Sequence, residues 1–417
     1  MSPRAPRPVL DSALFGRTPI SFLLGLAACC LVAIVALAIV VVQRGPAPAL
    51  AGLFLALLPI PLLVALILYL DRLEPEPRAL LAAMFGAGAG IAVITALLGH
   101  ALGTGVITTP DLGPHAGRVA AVTVGAAIGG ALVTETLNGL VLLALLASRR
   151  TEIDGAHDGV VYASMIGLGF ALVANLYAYG VAWNSGVSSL AEEFMRRGMF
   201  GPLFQALFTS MIGLGIAYAA SRRSGSRQSG GYVAIAVGWA AAVALDALWN
   251  HSAPAGGTSL QVTYVVLTAA LLGLIVVVIV DRQRVVAMIT MFLPSFEDPE
   301  VVMVTDVPML ASLRLRRLGR HWARLNLGVD GKRAMAQYQL AATELAMACN
   351  RKSFGRTTAE AYARHRDDSL HLMRAAAAIV RGKEHLYPPP WLAPDDPSVF
   401  VASSASPPPP VRTWPQG

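Results

Sequence analysis

Residues 261–280 read QVTYVVLTAALLGLIVVVIV, twenty positions without a charged side chain. An α-helix rises about 1.5 Å per residue, so this run can cross the roughly 30 Å hydrocarbon core of a bilayer. In lipid, a single segment satisfies all of its backbone polar groups only as a helix. Further apolar runs lie upstream, at 21–42, 48–70, 79–103, 118–147, 159–184, 200–220 and 231–253. Only 14% of the 417 residues are charged, against roughly 25% in soluble domains, and the mean hydropathy is +0.60. The pattern predicts an all-α, polytopic membrane bundle of about eight transmembrane helices, followed by a helical cytoplasmic extension.

Arginine placement orients the bundle. The N-terminal side carries Arg4, Arg7, Arg17, Arg72, Arg78, Arg149, Arg150, Arg222, Arg223 and Arg227; the other side carries Arg44, Arg118, Arg196 and Arg197. By the positive-inside rule the N-terminus is cytoplasmic, and an even number of spans returns the C-terminus there. The expected location is the inner (plasma) membrane of a bacterium, because arginine far outnumbers lysine in an Ala- and Gly-rich chain. Ala49-Leu50-Ala51 imitates a signal-peptidase site, but the first apolar run is longer than a signal peptide's core of about 7–15 residues. An uncleaved span is therefore expected. The formal charge of +7 serves topology. No zinc finger, RNA-binding signature or aromatic-interleaved basic strip accompanies it, so the expected partner is the lipid bilayer and not nucleic acid. Cys29, Cys30 and Cys349 show no pairing or metal spacing.

The organisation is a cytoplasmic segment 1–20, a transmembrane domain 21–280, a cytoplasmic helical extension 281–387 and a Pro-rich, disordered tail 388–417. In the loop 185–199, Glu192–Arg196 and Glu193–Arg197 read as i,i+4 pairs on a short interfacial helix. Asp306 with Pro308 starts a helix in the extension, with Leu310, Leu313, Leu315 and Leu318 alternating with Arg314, Arg316, Arg317 and Arg320. A second helix, near 331–352, places Met335, Tyr338, Leu345 and Cys349 on one apolar side. A third opens with Thr357-Thr358-Ala359-Glu360, a capping-box pattern, and ends at Gly382. His365, His371 and His385 lack metal spacing and read as solvated. The arginine-rich first helix is expected to touch anionic headgroups.

Ionisable groups inside a bilayer are costly and mark function. Two acids lie well inside spans, Glu135 in the fourth and Asp246 in the seventh. Thr134 and Asn138 share a helical face with Glu135, and Asn250 shares one with Asp246. Asn175 in the fifth span and Gln205 in the sixth reach a similar depth, roughly 8–22 Å from the outer ends at 1.5 Å per residue. Four antiparallel helices thus bring polar groups to one layer, as a site or as interhelical hydrogen bonding.

Residues 69–90 (YLDRLEPEPRALLAAMFGAGAG), VTETLNGL at 133–140, DGAHDGVVYASMIGLGFALVANLYAYG at 154–180, FGPLFQALFTSMIGLGIAYAA at 200–220 and ALDALWNHS at 244–252 occur in this order. With ASLRLRRLGRHWARL and AMAQYQLAATELAM in the extension, they resemble the PrsW family of intramembrane metalloproteases, which is related to the CAAX proteases. The resemblance implies a core at about 118–253 and a membrane-protein or single-span peptide as substrate or partner. It also implies zinc, with glutamate as base, from E-E-x-x-K, F-x-x-x-E-N and two histidine motifs. Position by position, Thr134-Glu135 stands for the Glu pair, Asn138 for the Lys and Ala174-Asn175 for Glu-Asn. Gln205 and Asp246 stand for the histidines, and Asn250 keeps its place. Only Glu135 survives among the acids and histidines.

The reading is a divergent member with a degenerate site, a pseudoprotease that binds a membrane-protein segment. It keeps Glu135 as a residual base and has Glu135 and Asp246 at most as metal ligands. Cofactors are accordingly expected to be none, with a divalent metal as the exception. The alternatives are an active endopeptidase using Glu135 and Asp246, and a transporter or channel with a polar pathway.

Overall fold

The computed structural model describes residues 20–71, 76–101, 116–148, 153, 155–220, 228–296, 301–355 and 357–381. The N-terminal segment, the Pro-rich tail and Gly382 lie outside them. The elements are α1 (Ile20–Arg44), α2 (Pro46–Leu57), α3 (Ile60–Leu70), α4 (Arg78–Ala101), α5 (Ala116–Ser148), α6 (Ala156–Asn184), α7 (Val187–Arg197) and α8 (Phe200–Ala220). Then come α9 (Gln228–Ala255), α10 (Gly257–Phe292), α11 (Val307–Ala311), α12 (Leu313–Ser353) and α13 (Ala359–Arg381). Among the described residues there is no β-sheet, and seven segments are long and apolar enough to cross a membrane. The first predicted span is α1, whose described side chains include the shorter apolar stretch Ile34–Arg44. The protein is an all-α, multi-pass membrane bundle.

Two boundaries differ from the sequence reading. The predicted second span is broken into α2 and α3 at Leu58-Pro59, because proline lacks an N–H and crowds the preceding turn. The short helix expected in 185–199 is α7, which enters from Gly186, with φ 106°, a conformation glycine adopts without strain. The last span runs on past Val280 to Phe292, since no Gly or Pro interrupts residues 274–293.

The described residues divide into two compact units at Arg284/Val285. In the first, α6 is the central pole: 83% of its apolar window is buried, against 22% for α10. It packs on α8, α4 and α2. Small residues make this possible. A Cβ on Gly167 would lie 2.6 Å from the Gln205 carbonyl oxygen and 2.7 Å from the Ala206 Cα, so the bare glycine sets how closely α8 approaches. Such backbone contact supplies dispersion energy that lipid tails would otherwise match.

The first turn of α6 is held by acids. Asp158 Oδ2 accepts from the Gly155 N–H at 2.9 Å, and Asp281 of α10 accepts from the His157 N–H at 2.9 Å. These carboxylates satisfy N–H groups that a helix start leaves orphaned and complement its dipole. Nearby, Tyr162 donates to Glu76, and Asp71 Oδ1 stands 3.7 Å from His157 Nε2. Burial pushes the Asp71 carboxyl above its usual range, opposed by the nearby His157 imidazole and by the hydrogen bond from the Glu76 N–H.

The second unit is a helical core around Ile289, Leu293, Leu310, Met335, Tyr338, Leu345 and Met373. Met335, Tyr338, Leu345 and Cys349 are all buried, and His365 and His371 are exposed, both as the sequence predicts. Arg316 departs from it: the side chain turns inward, donating Nε to the Leu310 carbonyl at 2.7 Å and Nη2 to Thr343 at 2.6 Å. Asp306 accepts from the Tyr338 hydroxyl at 2.9 Å and from Arg381 at 2.5 Å. That buried cluster ties the start of α11 to α12 and α13. Two helical stretches of α12 meet at Gly328, with φ 74° and ψ −158°. The α13 cap also shifts by one residue, since the hydroxyl that accepts from the Ala361 N–H at 3.2 Å belongs to Thr358.

Candidate functional site

Glu135, on α5, is 0% exposed inside the membrane bundle. Its Oε1 accepts from Gln205 Nε2 of α8 at 3.0 Å and from Asn138 Nδ2, one helical turn along α5, at 3.4 Å. Asn138 Nδ2 also points at Thr209 Oγ1 of α8, 3.2 Å away, and Thr209 bonds back to the Gln205 carbonyl at 3.4 Å. On α9, Asp246 is buried and accepts from Asn250 Nδ2 at 3.0 Å. It lies within electrostatic reach of Glu135. Helices α5, α8 and α9 therefore converge here, three of the four helices that the sequence brought to one layer.

The remaining polar residues stand apart from this knot. Thr134 is buried on the preceding position of α5. Asn175, also buried, has a side-chain Nδ2 without a protein hydrogen-bond partner, and it sits 3.9 Å from where a Gly201 Cβ would be. Glu135 Oε2 and Asn138 Oδ1 are likewise buried without partners. The sequence reading missed Thr209, whose type and spacing suit an ordinary helix-helix contact. The i,i+4 spacing from Gln205 to Thr209 was the available signal. It also missed the buried hydroxyl pair Ser164 and Ser210 (3.0 Å apart), which joins α6 to α8.

Beside the layer, α7 is not a solvated surface helix. Glu193 is buried and pairs with both Arg196 and Arg197, whereas Glu192 is exposed. The Glu193–Arg197 pair (Nε to Oε1 2.5 Å) matches the expected spacing. The expected Glu192–Arg196 pair gives way to Glu193–Arg196, because i,i+3 reach from the buried face avoids solvent. Arg196 caps α9 through the Ala253 carbonyl at 2.8 Å, and Tyr264 of α10 donates to the Arg196 carbonyl at 2.7 Å. Arg197 lies within electrostatic reach of Asp246. A half-buried cation thus acts on the acid of α9, a relationship invisible in sequence because 49 positions separate the two.

Fold and site together define a polytopic helical membrane protein with an acid-and-amide layer where three of its helices converge. A family model for PrsW family intramembrane metalloproteases matches residues 76–280. Over those residues the chain belongs to the PrsW family, and it carries that family's protease domain in a membrane-helix bundle. No curated protein and no solved structure gives a match.

The family implies a metal. A catalytic zinc takes about three protein ligands, from His, Cys or carboxylates, and leaves a position open for water. Glu135 and Asp246 are the only such side chains in the layer. Among the described residues no group of three or more His, Cys, Asp or Glu is placed to hold an ion. His157 sits at the opposite end of α6, and His251 is exposed. The surrounding carboxamides are oxygen donors at best, a set suited to hard cations more than to zinc. These residues do not fit a catalytic zinc, and no chemical step follows from one here.

Proposed function

We propose that this chain is a catalytically impaired PrsW-family protein that binds a membrane-protein segment or partner at the polar layer instead of cutting it. One observation carries the reading: the single acid matching the family's glutamates, Glu135, accepts on Oε1 from Gln205, the residue standing where the family has a histidine. Two side-chain amides thus occupy the Oε1 that a general base would turn toward a water. Glu135 Oε2 and Asn138 Oδ1, buried without partners, remain for an incoming strand or helix end, whose peptide groups need partners in lipid. The inner membrane, with both termini cytoplasmic, is part of the same proposal and rests on the arginine distribution.

A second reading draws on the uncommitted Glu135 Oε2. With Asp246 nearby, Glu135 would serve as base in an active endopeptidase with an unusual ligand set. Comparing membrane-protein fragments from wild-type, deletion and Glu135→Gln strains, alongside zinc content of the purified chain, separates the two. Impairment predicts one fragment pattern in all three strains and no stoichiometric zinc. Fragments and bound zinc lost together in Glu135→Gln would establish the protease and end the first reading.

A further inference from the structure

Residues 307–329 contain five arginines, one histidine and no acid. Within the first stretch of α12, residues 313–327, Leu313, Arg316, Gly319 and Ala323 are buried. Arg314, Arg317, Leu318, His321, Arg324 and Leu325 are exposed. At about 100° per residue these six occupy an arc of roughly 120°. Arg317 and Arg324 lie on one flank, Leu318 and Leu325 on the other, with Arg314 and His321 between. Leu318 and Leu325 are 38% and 71% exposed, so two apolar side chains stand on the same face as the arginines.

We propose that this face of α12 docks on an anionic lipid bilayer. The arginines match the charge of acidic headgroups, and their apolar stems let the guanidinium groups stay at headgroup level while the leucines enter the acyl boundary. An RNA or acidic-protein surface would use the arginines but would leave the leucine flank bare. Tethering favours the membrane further. Residue 313 follows the end of α10 by about 20 residues, so a leaflet is always present at high effective concentration. Modest attraction per arginine then suffices, and it is screened by salt. Docking of α12 is independent of the polar layer and of any proteolytic activity.

The test uses the full chain in nanodiscs. A charged, water-soluble bimane is attached to Leu325→Cys, and quenching by brominated lipid is compared between zwitterionic and phosphatidylglycerol-containing discs. Docking predicts at least twofold stronger quenching with the anionic lipid, reversed by high salt on the same sample. Arg314→Glu/Arg317→Glu/Arg324→Glu is expected to remove the difference, and the corresponding lysine variant to retain it. Equal quenching in both lipids, or none in either, overturns the proposal. The salt arm does not rely on the triple variant folding.

Discussion

Gln205 of α8 donates its side-chain amide to Glu135 of α5 at 3.0 Å, which makes an amide the principal partner of the deepest acid in the bundle. Interhelical hydrogen bonds in membranes are worth about 0.6–2 kcal/mol each. Gln205→Leu should therefore lower bundle stability by about that amount, read as reduced thermal stability of the purified chain in detergent. Gln205→Glu should cost more, because two carboxylates would then meet in a buried site. A Gln205→Glu protein as stable as the wild type would show that the layer is hydrated enough to screen them.

Restoring imidazoles tests the correspondence of Gln205 and Asp246 with the family's histidines. Gln205→His/Asp246→His, with Glu135 retained, would supply three ligand-type side chains from α5, α8 and α9. The double variant is expected to purify with stoichiometric zinc by elemental analysis, and each single variant without it. An apo double variant would mean that these positions do not converge as metal ligands.

Gly167 fixes the approach of α6 and α8 at the level of Gln205. Alanine there must push backbone aside, at an overpacking cost of about 1–3 kcal/mol. Gly167→Ala should be destabilised to that extent and should weaken the Gln205–Glu135 contact. A Gln205→Leu/Gly167→Ala double-mutant cycle is then non-additive.

Glu193 balances two arginines on α7. Breaking a largely buried pair costs about 3 kcal/mol or more, since the remaining charges lose their partner. Glu193→Gln should release α7, visible as faster hydrogen exchange over 187–197 with α6 unchanged. Unaltered exchange would show that the Ala253 and Tyr264 contacts hold the helix on their own.

The Cys349 thiol, 3.7 Å from the Tyr362 hydroxyl, is pushed above its ordinary value of 9.0 by burial, against the Tyr362 hydrogen bond and the charges of Lys352 and Arg366. Below that value folded and unfolded chains both hold the proton, so the thiol contributes no pH dependence. Above it the unfolded chain ionises first, and stability of the second unit falls as pH rises. Alkylation of Cys349, followed by mass spectrometry, should run slower in the folded protein than in urea at pH 8.5. Cys349→Ala should flatten the alkaline loss of stability.

Sequence alone determined that the chain carries a series of apolar membrane helices and that Glu135, Asn138, Gln205 and Asp246 fall at comparable positions along them. Helix length, lipid thickness and the cost of a charge in hydrocarbon leave little freedom there. The buried side of α12 near Met335, Tyr338 and Leu345 was equally legible, because its period follows the helix. Which polar atoms meet was decided only by tertiary structure. Gln205 reaches Glu135 because Gly167 lets α8 come close, and Thr209 enters because it lies one turn on. Arg316 turns inward to Leu310 and Thr343, and Glu193 gathers both arginines of α7, although spacing predicted a surface role for each. Depth along a span is a one-dimensional quantity that the sequence carries directly. Rotation about each helix axis, and therefore the choice of partner, comes from packing between distant segments.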